Sequence, residues 1–399
     1  MDDDTALPAD DRTIGRRLRS IRTARGKSQE VIAGLAGISA SHLSRLESGE
    51  RALDRRSLTV ALANALQIAP SELTGLPVPA PGDGSADAAI DAVRRAVQAV
   101  TMAVPDGQVM PVDQLFVRVH EVLDAKQRCL HDQVGATLPT LIRDLHASLA
   151  AGHDDGELLR LAALLHHAGT GAYLHGMGAP ADLCWSAARL SGEAAERLDE
   201  PVSLGIAAFA QANGLLSWGS FDLAAQALHR FDLTPGDDPQ LAGMLTLSAS
   251  LVAAADSRPA EADAALEQAA EMAEHAGEGN AHYMSFGPTN VAMWRLSAAL
   301  EVGEHERAVE LAESLTPERI VAPTRRANYW VNYGRGLSRM RGRLDEATGA
   351  MREAERISAD KVQRNPVARD ILAELVARSK RDAVGRELRG MAFRAGLPV

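Results

Sequence analysis

The apolar positions of this chain recur at helical spacing almost from its start. Ile14, Leu18 and Ile21 stand at i, i+4 and i+7, with Arg16, Arg19 and Arg22 off that stripe. The pattern predicts an amphipathic helix capped by Thr13 and ended by Gly26. Ser28 is placed to cap a second helix, Gln29 to Ala36. Gly37 breaks it, and Ser39 caps a third helix that Gly49 ends. Residues 77–86 are Pro/Gly-rich, carry neither helical nor strand period, and read as a linker. From about Asp87 onward the chain reads as helix after helix joined by short turns. The expectation is an all-α protein with an N-terminal domain over 12–76 and a helical body over 87–399.

The second and third helices carry a tighter constraint than periodicity. Counting from Gln29, the fifth position is Ala33, where two crossing helices need a small side chain. The ninth is Gly37, where the turn needs φ > 0. Ile38, Leu43 and Leu46 follow at the tenth, fifteenth and eighteenth positions and bury the third helix on the first two. This is helix-turn-helix geometry, with the third helix presented to a DNA major groove.

Charge agrees with that placement. Residues 12–76 hold eleven Lys/Arg against five acids, within a chain whose net charge is −11. A small basic domain on an acidic body points to a polyanion partner at one end of the molecule. The rest of the composition mainly excludes. Aromatics are 4%, which disfavours an all-β fold. The acidic start, Met1-Asp2-Asp3-Asp4, lacks the features of a secretory signal, and no apolar run approaches a membrane span. Cys129 and Cys184 form neither a disulfide framework nor a metal-ligand pair, so a reducing cytoplasm is the expected compartment.

The stretch Ser28-Gln29-Glu30-Val31-Ile32-Ala33, then Gly37-Ile38-Ser39, then Leu43-Ser44-Arg45-Leu46-Glu47-Ser48-Gly49-Glu50-Arg51 resembles a Cro/CI-type (XRE) helix-turn-helix domain. Leu58–Leu66 and Pro70-Ser71-Glu72-Leu73 resemble that domain's fourth and fifth helices. The resemblance implies a five-helix DNA-binding domain. In it Gln29 would brace the DNA backbone and the first exposed side chain of the recognition helix. Ser39, Ala40, Ser41, His42, Ser44 and Arg45 would meet the groove. Ala40 offers at most a methyl to a thymine methyl, and Ser41 and Ser44 read bases weakly. His42 has one donor and one acceptor when neutral. Arg45 can reach guanine or a phosphate, while Arg51, Arg55 and Arg56 suit the backbone. Modest base-reading power argues for a homodimer on a repeated half-site of double-stranded operator DNA.

The body repeats itself. A Gly or Ser followed two positions on by an apolar residue, Pro or His, five on by Ala (Leu183 in the looser first unit), and nine and twelve on by apolar ones recurs. It starts at Gly178, Gly219, Ser257, Gly303 and Gly342, a period near 40 residues. Two helices per unit would make a solenoid of helical hairpins. The pattern is TPR-like, departing from the 34-residue repeat in length and in its degenerate first helix. Gly287–Trp294 and Arg326–Trp330 are similar to a set of actinomycete regulators in which an XRE domain precedes such a body. These share their layout with peptide-sensing quorum regulators, an analogy of fold only. In the TPR-like register the residues thirteen, ten, six and three before each turn line a concave face. That makes Phe209, Asn213, Asn290, Met293, Tyr329, Asn332 and Arg339, with His175, the candidate groove for a peptide or small-molecule effector. The rival reading of the apolar members is plain core. Asn213, Asn290 and Asn332 would then be clamps between helices, since a buried amide without partners costs ~1–3 kcal/mol.

No phosphate-binding loop, nucleophile elbow, His-Glu-x-x-His or Cys-x-x-Cys is present, so no enzyme, cofactor or metal site is expected. His166 and His167 are adjacent and would diverge by about 100° on a helix. His131, His146, His153 and His175 lack metal-ligand spacing. The expected function is a DNA-binding transcription regulator modulated by a ligand in the body. The alternative is a protein-interaction scaffold with accessory DNA binding.

Overall fold

The computed structural model describes residues 13–75, 84–152, 155–230 and 233–398. Among them the regular structure is helical throughout, with no strand. The N-terminal domain contains α1 (Ile14–Ala24), α2 (Gln29–Leu35), α3 (Ala40–Ser48), α4 (Arg56–Leu66) and α5 (Pro70–Thr74). The expected caps form. The Thr13, Ser28 and Ser39 hydroxyls accept from the backbone N–H of Arg16, Val31 and His42. Each satisfies a donor that the first helical turn leaves without an intrahelical partner. Leu18, Ile32, Ala33, Leu43, Leu46 and Leu62 are buried in one core. Gly15 lets α1 touch α3: a Cβ there would lie 1.9 Å from the Leu46 carbonyl oxygen.

The body runs α6 (Ser85–Thr101), α7 (Val112–Gln127), α8 (His131–Ala150), α9 (Asp155–Leu164), a π-helical turn (Leu165–Gly171), α10 (Ala172–Gly176), α11 (Ala181–Leu198), α12 (Pro201–Trp218) and α13 (Phe221–His229). It continues with α14 (Pro239–Ala255), α15 (Pro259–Ala276), α16 (Pro288–Val302), α17 (His305–Ser314), α18 (Pro323–Ser338) and α19 (Leu344–Ile357). It ends with α20 (Ala359–Gln363), α21 (Pro366–Arg378) and α22 (Ala383–Arg394). The expected linker lies outside the described residues over 77–83. Its last two residues, 85 and 86, already belong to α6.

Local chemistry explains most of these boundaries. Proline occupies the first turn of α12, α14, α15, α16, α18 and α21, where a missing N–H costs nothing and φ is preset. The five repeat starts, Gly178, Gly219, Ser257, Gly303 and Gly342, all fall in turns between helices with positive φ. The small residue five positions into the repeat is buried each time it is Ala: Ala224, Ala262, Ala308 and Ala347. Beyond the hairpins themselves, α12 packs on α14, α14 on α16 and α16 on α18. That order fits a solenoid.

The stack curls until its ends meet, which an open concave groove did not anticipate. His131 at the start of α8 and Asp360 of α20 share a 2.6 Å hydrogen bond. Arg364 pairs with Asp87 of α6 and donates to the Met177 carbonyl at 2.8 Å. Gln127 of α7 donates to Asn280 at 3.1 Å. The core clusters from the two ends of the body therefore face a common interior.

Candidate functional site

The candidate nucleic-acid face is the outer side of α3. Leu43, Leu46 and Glu47 are buried, so helical geometry turns Ser41, Ser44 and Arg45 outward, and all three are exposed with Ser39. Ala40 and His42 are half-buried at its edge. Burial first, then the cations Arg51, Arg45 and Arg55, lower the His42 pKa, so its imidazole is neutral at neutral pH and sits in positive potential. Gln29 is not aimed at Ala40. Its amide donates to Glu47 at 2.8 Å, the carboxylate that also takes Arg22. This network pins α1, α2 and α3 together, so Gln29 holds the far end of the recognition helix rather than its first exposed residue.

The opposite side of the domain is bonded to the body by a charged seam (Arg56, Ala52, Leu53 and Asp54 on one side). Asp54 is 8% exposed and accepts from Arg339 at 2.9 Å and Arg335 at 3.3 Å. Glu301 accepts from Arg56, through its guanidinium at 2.7 Å and its backbone N–H at 3.1 Å, and from Arg335 at 3.1 Å. Glu374 takes the Ala52 N–H at 2.8 Å and pairs with Arg339. Asp370 takes the N–H groups of Leu53 at 2.7 Å and Ile14 at 3.2 Å. Burial would raise the Asp54 carboxyl, but Arg335 and Arg339 outweigh it and hold it down at about 2. Asp370 has no cation. Burial, with Asp54 and Glu374 nearby, pushes it up to about 7 against its two backbone donors. Apolar contact extends the seam, with Val60 of α4 pressed on the turn at Gly219, where a Cβ would come within 2.2 Å.

The seam bears on four residues that the sequence had placed elsewhere. Arg339, expected in the effector groove, is tied to Asp54 and Glu374 and borders neither cavity described below. Arg56, expected on the DNA backbone, is held by Glu301. Arg55 lies against Gly303, where a Cβ would come within 3.1 Å of its guanidinium, and Arg51 is half-buried. Neither presents a fully free side chain to DNA. The seam itself has a sequence signal. Arg335 in the last turn of α18 and Arg339 at its C-cap form an i, i+4 pair of cations, and Asp370 and Glu374 on α21 form an i, i+4 pair of anions.

Behind the seam lies a cavity of about 250 Å³. His175, Phe209 and Asn213 of the expected groove line it, together with Arg56, Lys126, His131, His166, His167, Trp294, Arg325 and Lys361. The histidine pair splits on the π-helical turn, a local insertion common at functional sites. His166 meets His146 at 2.8 Å, and His167 packs edge-on against Phe209. Burial keeps His167 and His175 neutral, with pKa values near 3 and 4. His153 lies outside the described residues. No cluster of three or more metal-ligating side chains occurs among the described residues.

The other groove candidates separate. Asn290 and Met293 line a second, more open cavity of about 490 Å³ beside the loop at 278–285. Asn290 is 4% exposed. Its amide nitrogen contacts the Met244 sulfur at 3.2 Å, and its oxygen has no partner. Asn332 is a clamp, donating to Ser297 at 3.0 Å. Asn213 donates to the Phe209 carbonyl within its own helix at 2.8 Å. Tyr329 is buried, its hydroxyl on the Ala312 carbonyl at 2.9 Å, and is core. Sequence reasoning missed Lys126, Arg325 and Lys361. A signal was available: the chain has only four lysines, and two of them face this cavity.

A family model for a helix-turn-helix domain matches residues 13–75. No curated protein and no solved structure matches the chain significantly. Residues 13–75 are thus a helix-turn-helix domain of the DNA-binding kind. No helix among the described residues is long and apolar enough to cross a membrane.

Proposed function

We propose that this chain is a cytoplasmic, nucleoid-associated transcription regulator. Its Cro/CI-type domain binds operator DNA as part of a homodimer, and its TPR-like body controls that domain through an effector. The observation that carries the reading is the seam. A domain with an open recognition helix is bonded, on its other face, to a body that encloses a cavity, and Arg56 belongs to both. Anything that changes charge in that cavity acts on the first residue of α4 and so on the seating of the helix-turn-helix. The base-reading side chains of α3 remain Ser41, His42, Ser44 and Arg45, with Ala40 a methyl contact, as the resemblance implies. They read few bases each, which two half-sites about one helical turn (~34 Å) apart would offset.

Fluorescence anisotropy with the DNA upstream of the protein's own gene tests this. Ser41→Ala with Arg45→Ala is expected to erase the preference for that DNA over a scrambled duplex, and wild-type affinity is expected to fall steeply with salt. Absence of binding at low salt leaves the body as an interaction scaffold and ends the regulator reading. A 1:1 complex of monomer and DNA by light scattering ends the homodimer.

A further inference from the structure

We propose that the cavity behind the seam is a binding site for a small organic anion. Its charged head would sit among Lys126, Lys361 and Arg325, and its apolar body against Phe209 and Trp294. The assignment rests on the regulator reading for its consequence, but not for the site itself.

Four cationic side chains border the cavity: Arg56, Lys126, Arg325 and Lys361. No Asp or Glu is among the described residues that line it. The chain as a whole is acidic, with 53 carboxylates against 42 Lys and Arg. The acids closest by are engaged: Asp360 holds His131, and Asp124 is hydrogen-bonded to the Tyr283 phenol. Arg56 has Glu301, and Arg325 has the Met284 carbonyl at 2.6 Å. Carbonyls solvate a guanidinium without neutralising it. Burial, then Lys361 and Arg325, pulls the Lys126 ammonium down to about 7, and burial lowers Lys361 as well. Lys126, Arg325 and Lys361 are half-buried, and cations partly withdrawn from water are ordinarily paired, because an unpaired charge loses more hydration than its surroundings return. Cations left beside an empty space, in a protein able to supply carboxylates, are balanced by a charge that arrives from outside.

Size and wall chemistry narrow the ligand. At about 250 Å³ the cavity lies just below the ~300–1,000 Å³ typical of small-molecule sites. It has room for a metabolite. Phe209 and Trp294 offer an apolar wall, and neutral His167 and His175 offer one donor and one acceptor each. The ligand is therefore a compact carboxylate or phosphate ester with an apolar part. The anion also competes with Glu301 for Arg56. Its binding would loosen one bond of the seam, which gives the effector a route to the DNA-binding domain.

Calorimetry and thermal melting on the full chain test the site with benzoate and phenyl phosphate as probes and benzamide as the uncharged counterpart. Both anions are expected to bind and raise Tm, and benzamide is not. Lys126→Met with Lys361→Met should weaken anion binding at least tenfold while the unliganded variant melts no lower than wild type. Failure of both anions to bind, equal binding of benzamide, or unchanged anion binding in the double variant overturns the proposal. A double variant that melts well below wild type also overturns it, because the lysines would then be structural. Anisotropy on the same samples separates the two readings. DNA binding without anion binding removes only the site, and anion binding without DNA binding removes only the regulator.

Discussion

The seam and the cavity are made of the same materials and differ in one respect. Both gather guanidinium or ammonium groups inside a helical protein, buried at Arg335 and half-buried at Lys126 and Lys361. In the seam Arg335 and Arg339 meet Asp54, Glu301 and Glu374, and every carboxylate there also receives a second donor. In the cavity Lys126 and Lys361 meet no carboxylate among the described residues. A charge balanced within the chain is a fastener. A charge balanced by nothing in the chain is a receptor. Arg56, paired with Glu301 and bordering the cavity, is where the two regions touch.

The largest effect is expected from breaking the seam. Asp54→Ala leaves Arg335 and Arg339 buried with one partner fewer, and losing one member of such a network typically costs about 3–5 kcal/mol. Denaturant unfolding of the full chain measures it. Limited proteolysis should show residues 13–75 becoming cleavable before the body. Seam stability should also withstand mild acid. The Asp54 pKa is depressed to about 2, so its contribution is present above the unfolded value near 3.9 and is lost only as pH falls from about 4 towards 2.

The cavity should respond to pH in the opposite range. Lys126 faces Lys361, Arg325 and Cys129, with His167 and His175 on other walls. The two imidazoles stay neutral there and burial pushes the Cys129 thiol up. The Lys126 ammonium, lowered to about 7, loses its proton above that pH in the free site and keeps it beside a bound anion. Benzoate binding should therefore take up a proton, and its Kd should rise by up to about tenfold per pH unit between 7 and 9. A flat Kd over that range would mean that Lys126 does not face the ligand.

The smallest effect sharpens the comparison among amides. Asn332→Ala removes a donor to Ser297 and should cost about 0.5–1.5 kcal/mol. Asn290→Ala removes an oxygen that already lacks a partner and should cost less than Asn332→Ala. Thermal melts of the two single variants decide it, and the reverse order would make Asn290 the clamp.

The sequence revealed what local chemistry dictates. Helix caps at Thr13, Ser28 and Ser39, the left-handed turn at Gly37, and the five repeat turns all follow from short-range rules, and all appear in the structure. What escaped was long-range. Arg339 occupies a groove position in the repeat register, yet Asp54, some 285 residues earlier, claims it. Gln29 turns to Glu47 because a buried carboxylate recruits every donor within reach. The TPR-like register put His175, Phe209, Asn213, Asn290 and Met293 in one groove, whereas the first three line one cavity and the last two another. It could not show that the stack curls shut, because that depends on contacts such as His131 with Asp360 and Arg364 with Asp87. The cavity lysines lie in α7 and α20, at opposite ends of the body, and only closure brings them together.

Cations fasten the seam and burden the cavity. The most direct measurement is the unfolding free energy of two like substitutions, Arg335→Met and Lys126→Met, in the full chain at pH 6.5 without added organic anions or phosphate. Each deletes one cation and keeps an apolar side chain in its place. Arg335→Met should lose about 3–5 kcal/mol, because Asp54 and Glu301 are left behind, while Lys126→Met should hold or gain stability. A loss of several kcal/mol for Lys126→Met would contradict the account.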